Sequence, residues 1–343
     1  MRKEITIYDI AVQLNLSTAT VSRALSEDPV VKKKTRQLVL ETANKMGYRS
    51  NYHARSLRKS QTNSIGFMVH ELQSTFINSV LAGVEKVTTD AGYDLIIAHS
   101  LESYEVEVAN ARNLFHKRVD GLITSLSCET KNLDHFQPFK DKGVPVIFFD
   151  RVETTMDNTA VIIDNYRSGY QATQHLIDQG CRRIVHLTAN LTRNVYSERL
   201  RGYRGALQDK GIPLDEGLVI IGDLTEEAAV ASAKRILCMR PLPDAAFITN
   251  DFVAAVCMRT FKEYKIRIPA DIAIVGFNND AISTVTEPAL TTVNYPGEEI
   301  GRTAARRLIS HLEGSSSIQQ VQTIILNSGL IVRGSSLKKP PHL

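Results

Sequence analysis

Polar side chains able to grip a small molecule recur just after short apolar runs in this 343-residue chain. Asp150 and Arg151 follow the run 144–149, Asn250 and Asp251 follow 245–249, Asn278, Asn279 and Asp280 follow 272–277, and Asn294 closes LTTVN. Phe76 lies just beyond the first run, and Arg199 opens a helical pattern in ERLRGY. A planar carboxylate or guanidinium can bridge two vicinal hydroxyls, and an aromatic ring can cover the apolar face of a pyranose. Capping of strand and helix ends, or ion pairing between lobes, would use the same residue types. A second group, Thr18, Ala19, Ser22 and Arg23, forms a short polar and basic helical face near the N-terminus, suited to hydrogen bonding with base edges.

The elements that position the first group alternate. Apolar runs at 65–69, 94–98, 121–124, 144–149, 184–187, 218–221, 245–249 and 272–276 read as strands. Helical patterns at 77–91, 166–179, 197–209 and 225–237 intervene. That alternation predicts an α/β fold of parallel sheets covered by helices on both faces. The core is too large for one sheet of about six strands, so two lobes are expected, with a ligand cleft at the carboxyl ends of the strands.

The second group belongs to a basic head. Residues 1–64 hold twelve basic and five acidic side chains, a net +7, while the rest of the chain carries −3. Such asymmetry points to a polyanion-binding module joined to a body. Thr6 can cap a helix over IYDIAVQL, Asn15 suits a left-handed turn, and Ser17 can cap a second helix from Thr18 to Leu25. Leu16, Val21 and Leu25 would face inward, a helix-turn-helix layout. A third helix over 32–46 would turn Val39, Leu40, Ala43 and Met46 inward and end at Gly47. Lys34 and Arg36 near its start would meet phosphates.

Other chemistries lack their signatures. There is no Gly-rich phosphate loop, HExxH or GxSxG, and the nine histidines do not cluster, so neither an enzyme nor a cofactor is expected. Cys128, Cys181, Cys238 and Cys257 have no metal-ligand spacing and read as reduced thiols. No run approaches about 20 apolar residues, so no spanning helix is expected. Met1-Arg2-Lys3-Glu4-Ile5 does not open a signal peptide, which favours a cytoplasmic location over a transport-type binding protein.

TIYDIAVQLNLSTATVSRAL, KTRQLVLETANKMGY and NYHARSLR, in that order, resemble the N-terminal end of the lactose-repressor/galactose-repressor (LacI/GalR) family of bacterial transcription regulators. The body resembles a periplasmic sugar-binding protein, as in that family. Asn15 departs from the family's turn glycine, Ser50 from a proline before the hinge, and Asn278 from the aspartate often found after VGF. The resemblance implies a repressor whose operator affinity is set by a small effector, most simply a sugar or sugar derivative. A ligand-binding α/β protein or enzyme without an operator is the alternative.

By the same resemblance, Phe76, Asp150, Arg151, Arg199, Asn250, Asn278 and Asn294 hold the ligand. Thr6, Tyr8, Thr18, Ala19, Thr20, Ser22, Arg23, Lys34, Arg36, Asn51, Ala54 and Leu57 contact DNA, with Leu57 wedged into the minor groove. The implied domains are 1–50 for the head and 51–64 for a hinge helix and linker. The N-terminal lobe takes 65–163 plus 294–319, the C-terminal lobe 164–293 plus 320–334, and 335–343 is a flexible tail. A near-palindromic operator and a homodimer are expected, because one head meets one half-site. The stretch from Gly334 through Pro340-Pro341 offers no leucine heptads for a tetramer. Light scattering should therefore return about twice 38.1 kDa; a stable mass near four times the monomer would overturn the dimer.

Overall fold

The computed structural model describes residues 5–48, 61–153, 158–315 and 322–338. It divides into two compact units, residues 1–62 and 63–343.

In the first unit, α1 (Ile7–Leu14), α2 (Thr18–Leu25) and α3 (Lys33–Met46) bury Ile10, Ala11, Val21, Ala24, Val31, Val39 and Ala43 against one another. The boundaries follow local chemistry. The Asp9 carboxylate accepts from the Thr6 N–H (2.8 Å) and hydroxyl (2.7 Å), so α1 begins on a closed first turn. Asn15 ends α1 in the left-handed region (φ 51°). The Ser17 hydroxyl accepts from the Thr20 N–H and starts α2. Gly47 (φ 70°) closes α3. Leu40 does not turn inward: it is exposed, because Val39 and Ala43 already fill the narrow bundle face of α3.

The second unit holds two six-stranded sheets. The first has the order β11-β5-β4-β3-β1-β2 and is parallel throughout: β1 (Ser64–Val69), β2 (Asp94–His99), β3 (Gly121–Thr124), β4 (Val146–Phe149), β5 (Thr159–Ile163) and β11 (Thr323–Leu326). The second has the order β12-β10-β9-β8-β6-β7: β6 (Ile184–Thr188), β7 (Val219–Ile221), β8 (Ala245–Ile248), β9 (Ala273–Asn278), β10 (Thr291–Asn294) and β12 (Leu330–Ile331), the last antiparallel to β10. Central strands such as VIFF and AAFI are buried along their whole length, as a sheet covered on both faces demands.

Helices α4 (Thr75–Asp90), α5 (Tyr104–His116), the short α6 (Gln137–Asp141) and α12 (Gly297–Leu312) pack on the first sheet. Helices α7 (Asn165–Asp178), α8 (Asn194–Asp209), α9 (Glu226–Cys238), α10 (Asp251–Glu263) and the short α11 (Ile282–Val285) belong to the second.

The chain passes between lobes after Ile163, after Asn294 and after Leu326. The last passage corrects the lobe boundary expected from sequence. Residues 323–326 belong to the first lobe, where Ile324 and Ile325 pair with Val161 and Ile162. The chain after 334 is not free either, at least through Lys338. Ser335 is fully buried, donating to the Ile274 carbonyl and accepting from the Thr291 N–H, and the Lys338 ammonium caps the Asp244 carbonyl.

Each lobe carries one helix pair that crosses on glycines. A Cβ on Gly83 of α4 would stand 2.1 Å from the Glu298 carbonyl oxygen, and one on Gly301 of α12 would stand 2.1 Å from the Val80 oxygen. Gly169 of α7 and Gly202 of α8 repeat the arrangement in the second lobe, with the Gly202 Cβ position 2.1 Å from the Tyr166 oxygen. Backbone obstructs here on both sides, so no side chain can rotate away. Gly202→Ala should accordingly destabilise the body by about 1–3 kcal/mol or more, read as a lowered midpoint in thermal unfolding; an unchanged midpoint would refute the close crossing.

Candidate functional site

The strand ends of the two lobes converge on a buried polar cluster. Asp150, leaving β4, and Arg199, in the second turn of α8, are both almost fully buried. Arg199 does not open its helix as expected from sequence. The helix starts five residues earlier, at Asn194, and no side chain caps it. The Arg199 guanidinium donates to Asn165 Oδ1 (2.9 Å) and to the Thr249 carbonyl (3.3 Å), and lies 3.5 Å over the Phe277 ring. Those partners are all neutral. Burial pulls its pKa down from 12.5; guanidinium groups nonetheless stay charged in proteins. Burial likewise raises the Asp150 carboxyl, against the pull of Arg151 and the Tyr295 hydroxyl.

Arg151 is engaged. It donates to Glu102 Oε1 at 2.7 Å, to Cys128 Sγ at 3.3 Å and across the lobes to the Tyr196 hydroxyl at 3.2 Å. Asn194 clips the same segment from the other lobe: its Oδ1 accepts from the Val152 N–H (2.9 Å) and its amide donates to the Asp150 carbonyl (3.1 Å). Arg193 adds a buried bond to the Thr130 carbonyl. His70 lies under this cluster, held neutral by burial, with the Ser125 hydroxyl between it and Asp150. Glu102 (φ 61°), Asp150 (φ 58°), Asn278 (φ 116°) and Asn279 (φ 58°) all take backbone conformations that side chains rarely adopt. Strain of this kind, gathered at one cleft, marks a site whose surroundings hold it in place.

Beside the cluster lies a cavity of about 530 Å³, lined by Phe76, Asn278, Asn279, Asp280, Asn294 and Tyr295 among others. That volume falls in the range of small-molecule sites. Of the seven residues expected at a ligand, Phe76, Asn278 and Asn294 line this cavity. Asp150, Arg151 and Arg199 lie in the buried cluster. Asn250 does a different job: its side chain accepts from the Val253 N–H and caps α10. Tyr295, Tyr196, Glu102 and Asn194 were not picked out from sequence. The polar residue beside Tyr295, Asn294, was the available signal, whereas nothing local marks the other three.

Asp251 supports the cavity wall from behind. Its carboxylate accepts from the Asp280 N–H (2.9 Å) and the Thr292 hydroxyl (2.7 Å), and Thr292 Oγ1 in turn accepts from the Asn279 N–H.

In the first unit, Tyr8, Ala19, Arg23, Lys34 and Thr6 are exposed, and Thr18, Thr20 and Ser22 are half-buried on α2. Arg36 is less available than expected: its guanidinium caps the Asp28 (3.1 Å) and Val31 (3.3 Å) carbonyls and ties the α2–α3 turn. Asn51, Ala54 and Leu57 lie outside the described residues.

Residues 6–51 match the family described as bacterial regulatory proteins, lacI family, and residues 173–336 match the periplasmic binding protein-like domain. Catabolite control protein A of Priestia megaterium is 31% identical over 309 residues, which span 90% of this chain and 92% of that protein. The structure of the Lac repressor dimer bound to operator and the anti-inducer ONPF aligns with a TM-score of 0.85 at 26% identity, over 98% of this chain and all of that one. That of the transcriptional regulator CelR in complex with cellobiose aligns at 0.72 and 28% identity, over 97% and 100%.

Burial pushes the Asp251 carboxyl from 3.8 up to about 7, against the Thr292 and Asp280 donors. Between those values the folded chain binds a proton that the unfolded chain has lost, so stability should fall as pH rises from about 4 to about 7. Asp251→Asn should flatten that fall in melting temperature. Parallel pH profiles for variant and wild type would remove Asp251 as its source.

Proposed function

The chain belongs to the lacI family of bacterial regulatory proteins, and from that premise we propose that its head reads a near-palindromic operator while a sugar or sugar derivative bound between the lobes sets its operator affinity. As a family member it is a DNA-binding transcriptional repressor controlled by an effector, not an enzyme. The solved relatives bind operator and anti-inducer in one case and cellobiose in another.

The observation that carries the sugar reading is the pairing of buried charge with neutral amides. A guanidinium whose described hydrogen-bond partners are neutral and a dehydrated carboxylate stand behind a wall of Asn278, Asn279 and Asn294, with Phe76 alongside. Amides both donate to and accept from hydroxyls, a carboxylate accepts from them, and a ring covers the apolar face of a sugar. Exposed Arg23 and Ala19, with Thr18 beside them on α2, suit base edges, while Thr20, Ser22 and Lys34 suit phosphates. Ligand and operator then act on one equilibrium. A ligand that prefers one lobe geometry shifts operator affinity by its differential affinity for the two geometries, and operator shifts ligand affinity by the same factor.

The test couples a thermal-shift screen of sugars, sugar phosphates and nucleobases with operator titration. A sugar should raise the melting temperature by mass action. Arg199→Ala should abolish that shift and the operator response while leaving basal operator binding intact. Arg23→Ala should cost about 1–3 kcal/mol on operator and much less on random DNA. A nucleobase as the stabilising compound would replace the sugar reading, and equal losses on both DNAs would remove Arg23 as a reader.

A further inference from the structure

Tyr295 is the residue that touches both the open cavity and the buried charges. Its ring lines the cavity and stacks on Phe76 with centroids 4.0 Å apart. It meets the Phe277 ring edge to face, and the Arg199 guanidinium lies 5.4 Å from its centroid. Its hydroxyl donates to Asp150 Oδ1 at 2.5 Å. Neither Asp150 nor Arg199 lines the cavity. A flat six-membered ring, sandwiched on one face and hydrogen-bonded through a hydroxyl to a buried carboxylate beside a guanidinium, is how a binding protein would hold a hydroxylated ring compound.

We propose that Tyr295 is an internal occupant of the inner half of this site and sets its specificity: a ligand entering from the cavity gains Asp150 and Arg199 only by displacing the phenol ring. The inference rests on the interlobe reading above and deepens it. Ligands that leave Tyr295 in place are read by the amides of Asn278, Asn279 and Asn294. Ligands that displace it must present a hydroxyl donor on a flat six-membered ring, because that is the shape and the hydrogen bond they replace. Tyr295 lies between β10 and α12, on the second passage from one lobe to the other, and its backbone is fixed there: its N–H donates to the Asn278 carbonyl and its carbonyl accepts from the Gly297 N–H. Displacement is therefore a rotation of the side chain alone.

The probe is phenol, which with the Cβ of an alanine reproduces the tyrosine side chain. Tyr295→Ala should bind phenol in calorimetry at millimolar concentration and gain melting temperature from it. Wild type should do neither at the same concentration. Benzene, lacking the hydroxyl, should bind the variant roughly tenfold more weakly, the usual scale for one hydrogen bond to a charged group, and adding Asp150→Ala, which removes the acceptor, should erase that preference. Equal phenol binding by wild type and variant, no binding by the variant, or no preference over benzene would each overturn the proposal. Should Tyr295→Ala fail to fold, Tyr295→Phe keeps the ring and removes only the hydroxyl. Amide exchange across 150–152 should then speed up several-fold, and unchanged exchange there would also overturn it. Phenol binding needs neither operator nor natural effector, so a failed sugar screen and a failed occupant test give different results.

Discussion

A guanidinium kept dry without a carboxylate against it is the constraint around which the body is arranged. Arg199 is 3% exposed, and moving a charge that far from water costs several kcal/mol unless fixed dipoles replace the hydration shell. Here the replacements come from separate elements. Asn165, the first residue of α7, supplies an amide oxygen; the end of β8 supplies the Thr249 carbonyl; β9 and the passage after β10 supply the Phe277 and Tyr295 rings. Each donor of compensation therefore fixes a strand end or helix start at the cleft. The close α7–α8 crossing at Gly169 and Gly202 follows from the same need, since it brings Asn165 and Arg199 within hydrogen-bonding distance.

The opposite lobe meets that cation with a carboxylate it does not allow to make a direct ion pair. Asp150 faces Tyr295 rather than Arg199, and Arg151 is absorbed by Glu102. Beside the Phe76–Tyr295–Phe277 aromatic contacts, the cleft is crossed by directional polar ones: Arg151 to Tyr196, Asn194 to two backbone groups, Arg193 to one. Apolar lobes would weld together, whereas hydrogen bonds of about 1 kcal/mol net apiece can be exchanged for ligand or water at small cost. A cleft that must respond to a solute is better built this way.

What could be read from sequence tracks how local the signal is. Strands β1, β3, β6 and β8 are bounded apolar runs, and their periodicity and length identified them. Strand β5 escapes that reading even though Asp157-Asn158 punctuate the start of its short TAVII run, and TIIL is counted with the neighbouring lobe although its hydrogen bonds go to β5. The polar residues at strand ends were visible as types. Their division into a cavity wall, a buried charged cluster and a helix cap was not, because it depends on which lobe each faces. Arg199 illustrates the limit. Its helix begins at Asn194 with Arg193 at the N-cap, and a guanidinium, which only donates, cannot accept from the first-turn N–H groups, so no local signal marked the start.

Asn278 shows how one departure from the family pattern can be reconciled with its surroundings. The residue sits at φ 116°, beyond the left-handed region that asparagine favours, and its amide donates to Asp280 Oδ2 at 3.3 Å. An aspartate at 278 would set a second carboxylate against Asp280, whose own carboxyl is already raised by burial, with Asp251 close behind it. The amide converts that repulsion into a hydrogen bond, and the acidic group of the loop shifts two residues along, to Asp280 on the cavity wall. A carboxyl group is thus kept at the cavity rim, carried by a side chain whose backbone N–H is anchored by Asp251 rather than by one in a strained conformation.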